Sequence, residues 1–295
     1  MLYNLIMFSE FRVFAPCKIN IGLRVLPKRQ DGFHNLESIF QTVKLSDELI
    51  IRQGKVDGKC IVHCDSMILP EKNTITMAYD AFYEATGCEK EGVDVALVKH
   101  IPAGGGLGGG SSDAASFIKA LQKIHHVELS SVQLDYIAGK VGSDVFFFTH
   151  CDDEGRCCAV VTGRGEYVRV IKKRPDLFIV MVFPEVHSST KEAYALVDEL
   201  YDEKVDFDYP ELEKLEEMYN SSISEWKFKN TFTEALSLKY PQIYSALKLL
   251  GEKKALFADM SGSGSSVFGI YASWEEAENT AKQLKDEGFN CVVTQ

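Results

Sequence analysis

Residues 102–113 read Pro-Ala-Gly-Gly-Gly-Leu-Gly-Gly-Gly-Ser-Ser-Asp, with six glycines between positions 104 and 110. Ahead of them Val93, Val95 and Leu97 alternate with Asp94 and Ala96, the period of a strand. Behind them Ala114, Ile118, Leu121 and His125 keep helical spacing, and Ala115 and Ile124 widen the apolar stripe. The order is therefore strand, glycine loop, helix. Such a loop lets the backbone approach a ligand closely, and it presents unpaired N–H groups at the positive end of a helix dipole, which favours an anion. A merely flexible surface loop needs neither the apolar Leu107 in its middle nor an amphipathic helix behind it.

Three kinds of phosphate loop follow such an order. A Walker loop needs Gly-Lys-Ser/Thr, and no lysine follows these glycines. A protein kinase needs His-Arg-Asp and Asp-Phe-Gly, and neither occurs. The dinucleotide fingerprint is formally present as Gly104-x-Gly106-x-x-Gly109. The position about 20 residues on, however, falls near Glu128 at a helix exit, and the strands before the loop read as antiparallel. A dinucleotide-binding oxidoreductase thus stays as an alternative.

The remaining pattern predicts an α+β protein of two domains, 1–160 and 161–295. From Phe11 to Val25 the chain alternates, with Ile19, Ile21, Leu23 and Val25 opposite Lys18, Asn20, Gly22 and Arg24. Pro27–Gly32 is a turn, and the stretches 39–43 and 49–51 continue an antiparallel sheet. Asn73 and Ser130 are placed to cap helices, the second ending before Gly142-Ser-Asp144. Val145–Phe148 reads as a short buried strand and 202–217 as an acidic linker. Later come a strand at 177–183, helices near 191–200 and 243–250, a strand at 267–271, the capping box Ser273-Trp-Glu-Glu276 and a last strand at 291–294.

The net charge of −11 argues against a broad nucleic-acid interface. An anionic substrate therefore needs a local positive pocket, for which Lys18, Lys28, Arg29, His34, Lys99 and Arg164 are candidates. Eight cysteines are too dilute, and too irregularly spaced, for a disulfide framework or a zinc site. The N-terminal run 1–10 lacks a basic region and a cleavage site, and no stretch of about 18 apolar residues occurs, so neither a signal peptide, a membrane span nor a membrane partner is expected. The cytoplasm is the expected location.

The form Pro-x-x-x-Gly-Leu-Gly-x-x-Ser-Ser-x-Ala-Ala over 102–115 resembles the second motif of the GHMP superfamily, which includes galactokinase, homoserine kinase and mevalonate kinase. Ala15-Pro-Cys-Lys-Ile-Asn20 resembles the first motif and Met260-Ser-Gly-Ser-Gly-Ser-Ser266 the third, in family order over nearly the whole chain. The details Arg29-Gln-Asp-Gly-Phe-His34, Gly142-Ser-Asp144 and Pro184…Thr190 resemble those members that phosphorylate the 2-hydroxyl of 4-diphosphocytidyl-2-C-methyl-D-erythritol in non-mevalonate isoprenoid synthesis.

The resemblance implies a ribosomal protein S5 domain 2-like N-terminal domain, a ferredoxin-like C-terminal domain, and an ATP-dependent kinase acting as a monomer or weak homodimer. It implies Asp144 as the base that takes the acceptor's proton, with Lys18 beside it. Lys99, Pro102, Gly104, Gly105, Gly106, Leu107, Gly108, Gly109, Gly110, Ser111 and Ser112 are expected around ATP. Asn20, Phe33, His34, Phe40, Thr190 and Tyr194 are expected around a cytidine diphosphate-linked substrate, with Phe33 and Tyr194 covering the two faces of the base. Mg²⁺ is expected mainly on nucleotide phosphates and water, with Ser112 or its neighbour Ser111 as the protein ligand. Phe146 and Thr231 depart from the proline and aspartate that the family usually carries there. Another GHMP kinase, or a nucleotide sensor without turnover, remains the alternative within the same fold.

Overall fold

The computed structural model describes residues 10–56, 58–203 and 208–295. The apolar N-terminal run, up to residue 9, and part of the acidic segment, 204–207, lie outside the described residues.

The first sheet grows around one long strand. Strands β1 (Phe11–Lys28) and β2 (His34–Gln53) form an antiparallel ribbon that turns at 29–33. The two stretches expected separately at 39–43 and 49–51 are one strand, because pairing with β1 continues through Ser46 and Asp47. Strands β3 (Cys60–His63), β4 (Val93–Val98), β5 (Cys158–Gly163) and β6 (Tyr167–Val170) complete the order β3-β4-β2-β5-β6. β4, the strand leading to the glycines, is antiparallel to β2 and parallel only to the short β3. That mixed pairing is not the parallel sheet a dinucleotide fold requires.

Helices α1 (Thr74–Thr86), α2 (Gly109–His125), α3 (Ser131–Val141) and α4 (Ser143–Thr149) cover one face of this sheet. Asn73 caps α1 by accepting from Ile75 and Thr76 amides, and Ser130 caps α3 from the Gln133 amide. The segment 145–148, expected as a strand, is helical. Gly142 breaks the chain between α3 and α4, and one turn then carries Val145, Phe147 and Phe148 into the core. A short apolar run fits either a buried strand or a buried helix by periodicity alone.

The second sheet has the order β10-β7-β9-β8, from β7 (Phe178–Val182), β8 (Phe257–Met260), β9 (Val267–Tyr271) and β10 (Cys291–Thr294). Around it lie α5 (Thr190–Asp202), α6 (Leu215–Asn220), α7 (Thr231–Lys239), α8 (Pro241–Glu252) and α9 (Trp274–Asp286). We place the division between the two units in 171–177, because residue 160 lies inside β5. A shared apolar layer from Ile19 and Ile21 to Ile179 and Phe268 joins them. Among the described residues no helix is long and apolar enough to cross a membrane.

Candidate active site

The glycine loop runs from β4 to the start of α2, and its backbone is the floor between two cavities. Gly104, Gly106 and Gly108 have φ of +70°, +75° and +69°, conformations in which a side chain is strained. At Gly106 the requirement is also steric, since a Cβ there would lie 2.0 Å from the Ser261 carbonyl oxygen. The third glycine-serine segment, 261–266, is thus packed on the second. Ser261 Oγ donates to the Gly106 carbonyl (3.0 Å) and the Ser266 amide to the Gly105 carbonyl (3.2 Å). Gly108 caps α2 without any side chain, which leaves the first amides of that helix open towards the loop.

On one side of the loop lies a cavity of about 370 Å³, lined by 102–111 with Leu97, Lys99, Asp113 and a wall of Met67, Leu69 and 73–75. The residues of that wall precede or open α1, and no sequence pattern marked them as binding residues. On the other side lies a cavity of about 470 Å³ that contains Lys18, Asn20, Phe40, Asp144, Thr190 and Tyr194. Gly104, Gly106 and Gly108 border both.

β1 delivers Lys18 into the second cavity almost fully buried. Its ammonium donates to Asn20 Oδ1 (2.7 Å) and to the Gly106 carbonyl (3.0 Å), sits 4.7 Å from the Phe40 ring centroid and lies 3.7 Å from Asp144 Oδ2. Burial lowers the Lys18 pKa from the ordinary lysine value, and the Asp144 charge works against that shift. Asn20 is held in turn by Ser38 (3.1 Å). Asp144 stands in the first turn of α4, partly exposed to the cavity, and its Oδ2 would be 3.3 Å from a Cβ on Gly108. The carboxylate therefore abuts the loop directly.

The aromatic residues are arranged differently from the expected pair. His34 stacks on Tyr194, with centroids 5.0 Å apart and planes 27° from parallel. Its Nδ1–H donates to the Leu26 carbonyl (2.8 Å), and its Nε2 lies 3.3 Å from Asp198 Oδ1. Phe232 meets Tyr194 edge-on at 5.0 Å. Tyr194 lines the cavity, whereas Phe33 does not; half-exposed, it carries the Arg164 guanidinium 3.9 Å above its ring. His187, Ser263 and Leu23 line the cavity without having been marked in the sequence, although His187 falls inside the Pro184…Thr190 stretch and Ser263 inside the third motif.

Lys99 borders the loop cavity, but its ammonium is ion-paired to Asp47 and to Asp113 Oδ2 (2.9 Å). Asp47 also accepts from the His100 and Ile101 amides. Burial pushes the Asp113 carboxyl up to about 7 against the pull of Lys99. Ser111 lines the loop cavity, while Ser112 faces a different cavity against β1, where its buried hydroxyl has no hydrogen-bond partner among the described residues. Asn230 donates to the Met260 and Gly262 carbonyls, both at 2.8 Å, and Thr231 Oγ to the Leu23 carbonyl (3.1 Å). These two residues tie α7 to the third motif and to β1.

The chain is similar to known proteins over most of its length. The family profile "GHMP kinases N terminal domain" matches residues 73–152, and "GHMP kinases C terminal" matches 205–290. The chain is 35% identical over 284 residues to the 4-diphosphocytidyl-2-C-methyl-D-erythritol kinase of Treponema pallidum (strain Nichols), covering 94% of this chain and 96% of that one. It is 34% identical to the protein of the same name from Thermodesulfovibrio yellowstonii, over 95% and 96% of the two chains. A crystal structure of 4-(cytidine 5'-diphospho)-2C-methyl-D-erythritol kinase superposes with a TM-score of 0.79 at 28% identity, over 96% and 99%. A homoserine kinase from Cytophaga hutchinsonii shares the fold, with a TM-score of 0.71 at 20% identity over 100% and 97% of the two chains.

Proposed function

The chain belongs to the GHMP kinases and is an ATP-dependent kinase, and from that premise we propose that its acceptor is the 2-hydroxyl of 4-diphosphocytidyl-2-C-methyl-D-erythritol. The observation that carries this reading is the shared floor. Gly104, Gly106 and Gly108 border both cavities, with Asp144 and Lys18 on the acceptor side. ATP in the first cavity would rest its phosphates on the loop amides, and an alcohol in the second would lie against Asp144.

In this reading the Asp144 carboxylate accepts the hydroxyl proton as the oxygen bonds to the γ-phosphorus and the bond to the ADP oxygen breaks. Lys18, 3.7 Å from that carboxylate, offsets negative charge on the attacking oxygen. Thr190 and Tyr194, on α5, extend the cavity away from the loop and suit a nucleotide-linked alcohol better than a small amino acid or a free sugar. Tyr194 would stack on one face of the base. Lys99 is already held by two carboxylates and shapes the floor under the loop. Mg²⁺ would neutralise phosphate charge when bound. Ser111 is the hydroxyl on the loop cavity, which fits a site held mostly by phosphates and water.

Phosphorus NMR of a reaction with ATP and this alcohol is expected to show ADP and one new phosphomonoester resonance on the intact cytidine diphosphate product. ATP hydrolysis without a new ester, or no consumption at all, contradicts the assignment.

A further inference from the structure

Another cavity, of about 500 Å³, opens where the two units meet and shares no lining residue with the loop and acceptor cavities. Its walls come from β2 (Lys44), the segment entering β5 (Arg156, Cys157), the connection 171–175 and the end of β10. β10 is bound to β2 at this point, Thr294 Oγ1 accepting from the Lys44 amide at 2.9 Å. On a chain of net charge −11, this cavity is bordered by four cations, Lys44, Arg156, Lys173 and Arg174, and by one carboxylate, Asp152.

Two of those cations are neutralised. Arg156 is paired to Asp152 (2.8 Å) and to Glu154, and Arg174 to Asp176 (2.5 Å) and to the Tyr219 and Ser221 carbonyls. The other two are not. Among the described residues Lys44 reaches only the Gln295 amide oxygen, at 3.4 Å, and Lys173 has neither an ion pair nor a hydrogen bond. Lys173 is partly buried, and burial lowers its pKa from the ordinary lysine value; Lys44 and Arg156 add to that shift, while Cys158 and Asp152 oppose it. A partly desolvated ammonium beside a second lysine that has no ion pair among the described residues is a costly arrangement that a bound anion would relieve.

We propose that this cleft between the units binds a small phosphate-type di- or polyanion, with Lys44 and Lys173 as its principal contacts. The site is independent of the acceptor assignment, since it shares no wall with either catalytic cavity. Val170, Ile171 and Pro175 add apolar wall to the cleft, and its volume of about 500 Å³ suits a compact ligand. Inorganic pyrophosphate is the simplest probe. Because it would also enter the glycine loop, protection is read only at Lys44 and Lys173, neither of which lines the loop cavity.

Lysine acetylation of the full chain, read by mass spectrometry, then reports each ammonium separately. Pyrophosphate is expected to slow acetylation of both Lys44 and Lys173, where chloride at equal ionic strength does not. Lys173→Ala is expected to weaken the protection of Lys44 roughly tenfold or more, the scale of one charge-assisted hydrogen bond. Lys173→Arg, which keeps the charge, is expected to retain it. Equal protection by chloride would mean an adventitious ion only and would overturn the site. So would unprotected Lys44 and Lys173, or protection of Lys44 that survives Lys173→Ala with an unchanged melting temperature.

Discussion

Asp144 and Lys18 come from positions 126 residues apart, and the fold brings their charged groups to 3.7 Å. Asp144→Asn is expected to keep nucleotide binding by calorimetry and to lose roughly 10²- to 10⁴-fold in turnover, about 3–5 kcal/mol of barrier. Near-normal turnover would remove Asp144 from the role of base. A second buried carboxylate makes a pH prediction. Asp259 accepts from Thr233 (2.6 Å) and the Met260 amide, with the Asn230 backbone also favouring its charged form, and burial outweighs these and raises its pKa to about 7. The folded state therefore holds this proton more tightly than the unfolded chain. The sign follows: this group's contribution is most favourable in acid and falls as pH rises from about 4 through about 7. Asp259→Asn keeps the accepting oxygen and removes the charge, so melting curves across that range are expected to lose much of their slope and to lie higher at pH 8. An unchanged slope contradicts the account. Nothing in the sequence announced Asp259, because a lone aspartate in a short strand looks like any solvated charge until its burial is known.

At the scale of elements, α4 is where sequence reading and structure part. Three consecutive phenylalanines suggested a strand, but only the tertiary contacts of Phe147 and Phe148 decide for a helix, and that helix aims Asp144 at the loop. Gly108 tests the arrangement. A Cβ there would lie 2.9 Å from the Phe148 ring and 3.3 Å from Asp144 Oδ2, so Gly108→Ala is expected to displace α4 and reduce turnover more than ATP affinity. Gly87 has the same φ of +69° with nothing within 4 Å, so Gly87→Ala carries the backbone strain alone and is expected to leave turnover intact. Equal losses in the two variants would assign the effect to strain. Helix α5 makes the third comparison. Tyr194→Ala is expected to raise the KM for the acceptor roughly 5- to 150-fold, the range of one stacked base, with KM for ATP unchanged. Phe33→Ala is expected to do less, because Phe33 lies outside the cavity under Arg164. Equal effects would restore Phe33 as a full partner of the base.

Across the whole molecule, the strand-loop-helix order, the helix starts at Asn73, Ser130 and Ser273 and the three motifs were legible because each rests on local chemistry: turn-forming glycines, side-chain acceptors at helix starts, and period. The Asn73 and Ser130 caps sit where their residue types require. The packing of motif on motif was not legible. That Ser261 and Ser266 clamp Gly105 and Gly106 depends on how the second sheet docks on the first, through contacts more than 150 residues apart in sequence. The β5–β6 hairpin and the wall at 67–75 were missed for the same reason, since neither carries a strong local signal. The docking also makes the two cavities share one floor, and the central claim follows from that floor: phosphoryl transfer from ATP to a cytidine diphosphate-linked alcohol. Its most direct test is kcat/KM by coupled ADP release across a panel of 4-diphosphocytidyl-2-C-methyl-D-erythritol, homoserine, mevalonate and galactose. The account predicts saturable ADP release with the cytidine-linked alcohol at an efficiency at least a hundredfold above the others, as about 3 kcal/mol of base stacking would give. Equal or greater efficiency with any other alcohol, or no release with the cytidine-linked one, would contradict it.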